Sequence, residues 1–179
     1  LDPTLLLNKE DYLALIDSVN TTPSNGDLFV YILDKDEKKT HIVNEVAKQK
    51  NLTPFELLPK QFLIEANKNE IEKCIYPPIE QWLRSFLDAN FIITDSFHGT
   101  IFSIIFEKPF IVIGNKKRGL SRFNSLLEMF HLEERMIDKN DKCDFSILSN
   151  NINYDDICTI IKKKQDDSIL FLTTYLISQ

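Results

Sequence analysis

FIITDSFHGTIFSIIFEKPFIVIGNKKRGLSRF, residues Phe91 to Phe123, is the stretch whose reading decides the fold. It opens with Phe91-Ile92-Ile93-Thr94, a short apolar run of the kind that forms a buried strand in a parallel sheet. A polar loop, Asp95-Ser96-Phe97-His98, follows, and Gly99-Thr100 leads into the apolar block Ile101 to Phe106. That block suits a helix buried on most sides, although its length alone leaves strand and helix hard to separate. Glu107-Lys108-Pro109 punctuates it, and Phe110-Ile111-Val112-Ile113 reads as the next strand. Gly114-Asn115-Lys116-Lys117-Arg118-Gly119 is then a glycine-bracketed basic loop.

In a strand–helix–strand unit with the usual right-handed crossover, the two strands run parallel and both polar loops leave from the same sheet edge. Ligands of open α/β sheets sit outside that carboxyl edge. His98 and the Lys116–Arg118 cluster are therefore expected to face one cleft. The helix between the strands would turn its first amides, near Gly99 and Thr100, toward the same cleft, where they favour an anion. An imidazole, amides and several cations around one cleft describe a site for a phosphorylated or carboxylated small molecule.

The 179 residues fit one α/β domain, with residues 1–26 as a lead-in and linker helix and residues 27–179 as the core. A formal net charge of −6 argues against a general nucleic-acid binder, and it makes Lys116, Lys117, Arg118 and Arg122 stand out as a local cationic group. Cys74, Cys143 and Cys158 are widely spaced, with neither a disulfide framework nor zinc-ligand spacing, which reads as free thiols in a reducing cytoplasm. No signal peptide or membrane span is visible, and the run Ile169 to Ile177 is short and interrupted by threonines. The opening Leu1 reads as mid-protein text, so the chain is expected to be an excised domain.

Outward from the central stretch, Asn8 with Asp11 forms a capping pattern for a helix whose buried stripe is Tyr12, Leu15 and Ile16. Thr21 to Gly26 is a turn cluster, and Asp27 to Leu33 is the first strong strand. Lys35 to Lys39 reads as a solvated charged turn, and Ile42, Val43, Val46 and Ala47 mark an amphipathic helix ending near Asn51. Phe55 to Leu58 is a second strand, and Lys60 to Tyr76 is a long loop with some helix. Pro77-Pro78 introduces a helix with Ile79, Trp82, Leu83, Phe86 and Leu87 on its stripe, which makes Trp82 a core residue. Phe123, Leu126, Leu127 and Phe130 give another helix, Arg135-Met136-Ile137 a short edge strand, Tyr154 to Ile161 a further helix, and Asp166 to Ser178 a last one. Alternating strand and helix is the pattern of a Rossmann-like, doubly wound parallel sheet.

Absent signatures narrow the chemistry. There is no dinucleotide GxGxxG, Walker loop, HExxH or GxSxG elbow, and no metal-ligand cluster. Ser96 reads as a cap for the loop it sits in. His41 and His131 read as surface or packing residues. His98 stands at the strand–helix junction where site residues collect; it is either functional or a loop-fixing histidine bonded to a backbone carbonyl. The basic loop is either an anion site or a solvated turn.

Asp95-Ser96-Phe97-His98-Gly99-Thr100 with the apolar helix after it, Lys108-Pro109-Phe110, and Gly114 through Phe123 together resemble the polysaccharide pyruvyl transferase family. The lead-in Leu1-Asp2-Pro3-Thr4-Leu5-Leu6-Leu7 also resembles the segment where that family's second half begins. The resemblance implies the C-terminal lobe of a two-lobed, glycosyltransferase B-like architecture. It implies transfer of a pyruvyl group from phosphoenolpyruvate to a sugar of a bacterial surface polysaccharide or its lipid-linked precursor. The family's histidine falls on His98. Many members carry an arginine two residues earlier, where this chain has Ser96.

On that resemblance His98 is the catalytic residue, and Ser96, Gly99, Thr100, Asn115, Lys116, Lys117, Arg118 and Arg122 line the substrate site. One of the four cations would replace the family's missing arginine. The implied partners are phosphoenolpyruvate, a saccharide or lipid-linked acceptor, and a separate N-terminal lobe, with no cofactor and no metal. The implied location is the cytoplasm, at the inner face of the membrane where acceptors are lipid-linked. The competing expectations are a nucleotide-sugar glycosyltransferase lobe, because the fold is shared, and a donor-binding lobe inactive on its own.

Overall fold

Leu28–Tyr31 (β1), Phe91–Thr94 (β3) and Phe110–Ile113 (β4) are apolar runs, and they pair side by side in parallel. Pro54–Phe55 (β2) and Met136–Ile137 (β5) add a short edge on either side, completing a parallel sheet of order β2-β1-β3-β4-β5. The computed structural model describes residues 1–59, 68–114, 119–140 and 145–177. Its α-helices are α1 (Lys9–Asp17), α2 (Glu37–Lys50), α3 (Ile79–Asp88), α4 (Phe97–Ile105), α5 (Leu120–Met129) and α6 (Tyr154–Ile177).

Successive strand side chains alternate between faces, and here both faces are apolar. Phe29, Ile92, Phe110 and Val112 point into a core shared with α1, α3, α4, α5 and the start of α6. Leu28, Val30, Phe91, Ile93, Ile111 and Ile113 point the other way, onto Ile42, Val43 and Val46 of α2 and onto Ile147 and Leu148. The sheet is therefore wound on both sides, as expected. The chain leaves β1 outward to β2 and returns to β3 on the other flank, so the direction of winding reverses between β1 and β3.

The lead-in belongs to this body. A 3-10 helix at Pro3–Leu6 buries Leu5 to 1% exposure, and the Tyr12 hydroxyl donates to the Thr4 carbonyl at 2.8 Å. The Asp11 carboxylate accepts from the Asn8 amide at 2.8 Å, the capping contact that starts α1. On α3, Trp82 meets Tyr31, Phe86 and Phe102 edge-on, in the core role expected of it. Lys108 donates to the Leu87 carbonyl at 2.8 Å and so ties the end of α3 to the α4–β4 turn.

Several expectations need correction. Lys39 is no solvated charge. It lies in the first turn of α2, is 3% exposed, and places its Nζ 2.6 Å from Asp95 Oδ2 and 2.7 Å from the Asp34 carbonyl. Asp36 caps that helix through the Lys39 amide at 3.0 Å, which turns the lysine inward. On α1, Leu15 is exposed and Leu13 packs instead. The two expected C-terminal helices are one: α6 is unbroken through its polar middle, where Gln165 Nε2 donates to the Leu5 carbonyl at 2.8 Å. The strand expected over Phe55 to Leu58 is only Pro54–Phe55. Within the Lys60–Tyr76 segment, Lys68–Cys74 is a 3-10 helix and residues 60–67 lie outside the described residues.

Asp95 has no solvent exposure and accepts from the Leu33 amide at 2.7 Å and the Asp34 amide at 3.2 Å besides Lys39. Removing one partner of such a pair strands the other charge in a dry interior. We expect Lys39→Met to lower the unfolding free energy by about 3–5 kcal/mol, read as an earlier urea midpoint; an unchanged midpoint would contradict this account.

Candidate active site

The site is built at the end of β3. Thr94 Oγ1 donates to the Tyr31 carbonyl at 2.8 Å and accepts from the Ser96 amide at 3.0 Å, locking the turn out of the strand. Ser96 has extended backbone, and its hydroxyl accepts from the Gly99 amide at 3.3 Å, so it is the N-cap of α4. The capping role expected of Ser96 is what the structure shows. The helix starts earlier than expected, and Phe97 and His98 form its first turn.

Gly99 and Thr100 are buried, and their amides are already engaged, by the Ser96 hydroxyl and, at 3.0 Å, by the Ser96 carbonyl. With both amides engaged, they are not open donors for an anion. Gly99 is needed for another reason: a Cβ there would stand 2.3 Å from Thr94 Oγ1 and 3.1 Å from Tyr31 Cδ1. The start of the helix lies so close to the Thr94 side chain that a Cβ has no room unless that side chain shifts.

His98 projects from this fixed turn with 55% of its side chain exposed, and its ring meets Phe97 edge-on at 5.6 Å between centroids. Arg122, from the first turn of α5, lies with its guanidinium carbon 4.1 Å from the Phe97 ring centre. Asp2 completes the group, with Oδ2 3.9 Å from His98 Nε2. A cavity of about 380 Å³ opens beside Asp2, Phe97 and Arg122, lined also by Ser121, Ser125 and Met129; His98 follows Phe97 in the chain and is not itself on the lining.

The structure thus brings His98 and Arg122 to one place. Asn115, Lys116, Lys117 and Arg118 lie outside the described residues. Both ends of their loop are described: the Gly114 amide donates to the Ile137 carbonyl at 2.9 Å, and Gly119, at φ 83°, leads into α5. Asp2 is the member that sequence reasoning missed. Its one signal was an aspartate directly before Pro3, the pattern of a helix cap. Among the described residues no group of three or more His, Cys, Asp or Glu is placed to hold a metal ion, and no helix is long and apolar enough to cross a membrane.

A family model described as polysaccharide pyruvyl transferase matches residues 1–117 of the chain. The chain belongs to the polysaccharide pyruvyl transferase family. Neither the curated proteins nor the solved structures contain a match to it. The pyruvyl transferase match takes in the Asp2 lead-in, β3, the His98 turn and the basic loop as far as Lys117. Arg118 and Arg122 lie beyond it, so the nearness of Arg122 to the histidine turn rests on the structure and not on the family match.

Burial pushes the Asp2 carboxyl up, but hydrogen bonds with Thr4 and the nearby His98 and Arg122 outweigh that and hold it below the usual aspartate range. A depressed folded-state value contributes stability above the unfolded value near pH 4, and the contribution is lost as pH falls through the folded value. Asp2→Asn keeps an oxygen for the Thr4 amide and removes the charge. We expect the parent to exceed Asp2→Asn in stability at neutral pH by at most about 1 kcal/mol, with the gap closing as pH falls through the depressed folded-state value. Denaturant titrations across that range measure it; a gap independent of pH would refute the electrostatic account.

Proposed function

We propose that this domain binds phosphoenolpyruvate at the carboxyl edge of β3 and β4, and that it serves in transferring the pyruvyl group to sugar hydroxyls of a bacterial surface polysaccharide or its lipid-linked precursor. The observation that carries the reading is the exposed imidazole of His98 on the first turn of α4 beside Arg122, inside the segment that matches the pyruvyl transferase family.

The chemistry asks for proton transfer and for stabilisation of negative charge. A sugar hydroxyl adds to the carbon that bears the phosphate, the methylene carbon takes up a proton to become a methyl group, and the hydroxyl proton goes to a base. Departure of inorganic phosphate, with a second hydroxyl closing on the same carbon and losing its proton, gives the cyclic ketal. An imidazole can give and take protons in the physiological range, which is the role proposed for His98. Arg122 is suited to the carboxylate or phosphate because its planar fork matches either oxyanion. Asn115, Lys116, Lys117 and Arg118 are proposed to share that task. Ser96, Gly99 and Thr100 support it by shaping the helix start.

The acceptor site is proposed to be completed by a second lobe, following the two-lobed architecture that the resemblance implies, and the reaction to take place in the cytoplasm, at the inner membrane face for lipid-linked acceptors. The scheme itself calls for no cofactor.

We expect His98→Ala in the active protein to lower turnover by roughly 10²–10⁴-fold, and near-normal turnover would remove His98 from the mechanism. Calorimetry of the chain with phosphoenolpyruvate, inorganic phosphate and a nucleoside diphosphate in parallel tests the donor. Binding of the first, with none of the nucleotide, is the expected result; preference for the nucleotide would overturn it.

A further inference from the structure

The lead-in turn is held with more anchors than a linker needs. Leu5 is buried to 1% exposure, its carbonyl accepts from Gln165 Nε2 at 2.8 Å, and the Thr4 carbonyl accepts from the Tyr12 hydroxyl at 2.8 Å. These contacts come from the core, from α6 and from α1, and together they fix the backbone on which Asp2 sits. The Asp2 side chain is oriented in turn: Oδ1 accepts from the Thr4 amide at 3.0 Å, which leaves Oδ2 facing His98 Nε2 at 3.9 Å. One carboxylate oxygen serves the cap and the other faces the imidazole. Only 18% of the Asp2 side chain is exposed, so its charge is less screened than that of a surface carboxylate.

We propose that Asp2 is the positioning residue for His98. This rests on the reading of His98 as the proton-exchanging group and goes beyond it. The role assigned to Asp2 runs through the imidazole, and it changes no bond. Its carboxylate draws the Nε2–H edge of the ring toward the lead-in and balances the charge of the imidazolium when it forms, leaving Nδ1 as the nitrogen that exchanges the proton. A carboxylate that orients a working imidazole fixes both its tautomer and its angle. The 3.9 Å separation is longer than a hydrogen bond, as is common for such pairs before substrate is bound. Arg122, from α5, is the other charged group among the described residues that acts on the carboxylate. Asp2 and Arg122 line the same cavity, and Asp2 faces the imidazole assigned to proton transfer.

A simple cap and a positioning residue predict different results for Asp2→Asn, which retains the acceptor for Thr4. In the active protein we expect kcat to fall by about 10–100-fold, as for other groups that orient a working histidine, with KM for phosphoenolpyruvate little changed and Asp2→Glu recovering part of the loss. Unchanged kcat in Asp2→Asn would make Asp2 a cap only. A second measurement needs no activity: ¹³C NMR titration of the Asp2 carboxyl in the chain, with and without His98→Ala. An upward move of the Asp2 midpoint in the variant is expected. An unmoved midpoint overturns the pairing even where His98→Ala abolishes turnover, so this proposal and the catalytic reading of His98 fail separately.

Discussion

Asp95 has no contact with solvent, and its carboxylate is answered by the Lys39 ammonium at 2.6 Å and by the Leu33 and Asp34 amides. Two charges withdrawn from water cost several kcal/mol unless their hydrogen-bonding capacity is met. Here it is met by the loop that leaves β1, which therefore has to fold around the residue that leaves β3. The pair thus joins the two strands at the point where the winding reverses, the customary ligand crevice of this fold. A buried, fully answered ion pair occupies that ground. His98 and Arg122 stand on the other side of the reversal, toward β4.

The strands were legible because buried parallel strands are continuous apolar runs, and β3 and β4 are bounded by polar turns on both sides. The α3 stripe was legible for the same kind of reason, since Leu83 and Phe86 recur at helical spacing. Lys39 was not. A lysine among charged neighbours has the local pattern of a solvated turn, and only its partner 56 residues away makes it a core residue. The α6 helix looked broken because its polar middle interrupts the apolar periodicity, yet that middle holds the helix to the lead-in through Gln165.

Of the site, His98 could be placed from topology: a residue just after a central strand of a parallel sheet faces the ligand edge. The cap that puts it in a helical turn was half legible, in that Ser96 was readable as a capping residue while the start of the helix was set too late. Asp2 was beyond reach, because its position depends on the burial of Leu5 and on the Tyr12 hydroxyl, both tertiary contacts.

Gly99 brings one consequence for how the site handles ligands. With α4 pressed against Thr94 at a distance that excludes even a methyl group, the backbone that carries the imidazole has no room to recede. The pocket therefore has one rigid jaw. Any induced fit toward larger or smaller guests falls to the opposite jaw, where the guanidinium of Arg122 rests on Phe97 at the end of a long, rotatable stem and can swing aside at little energetic penalty.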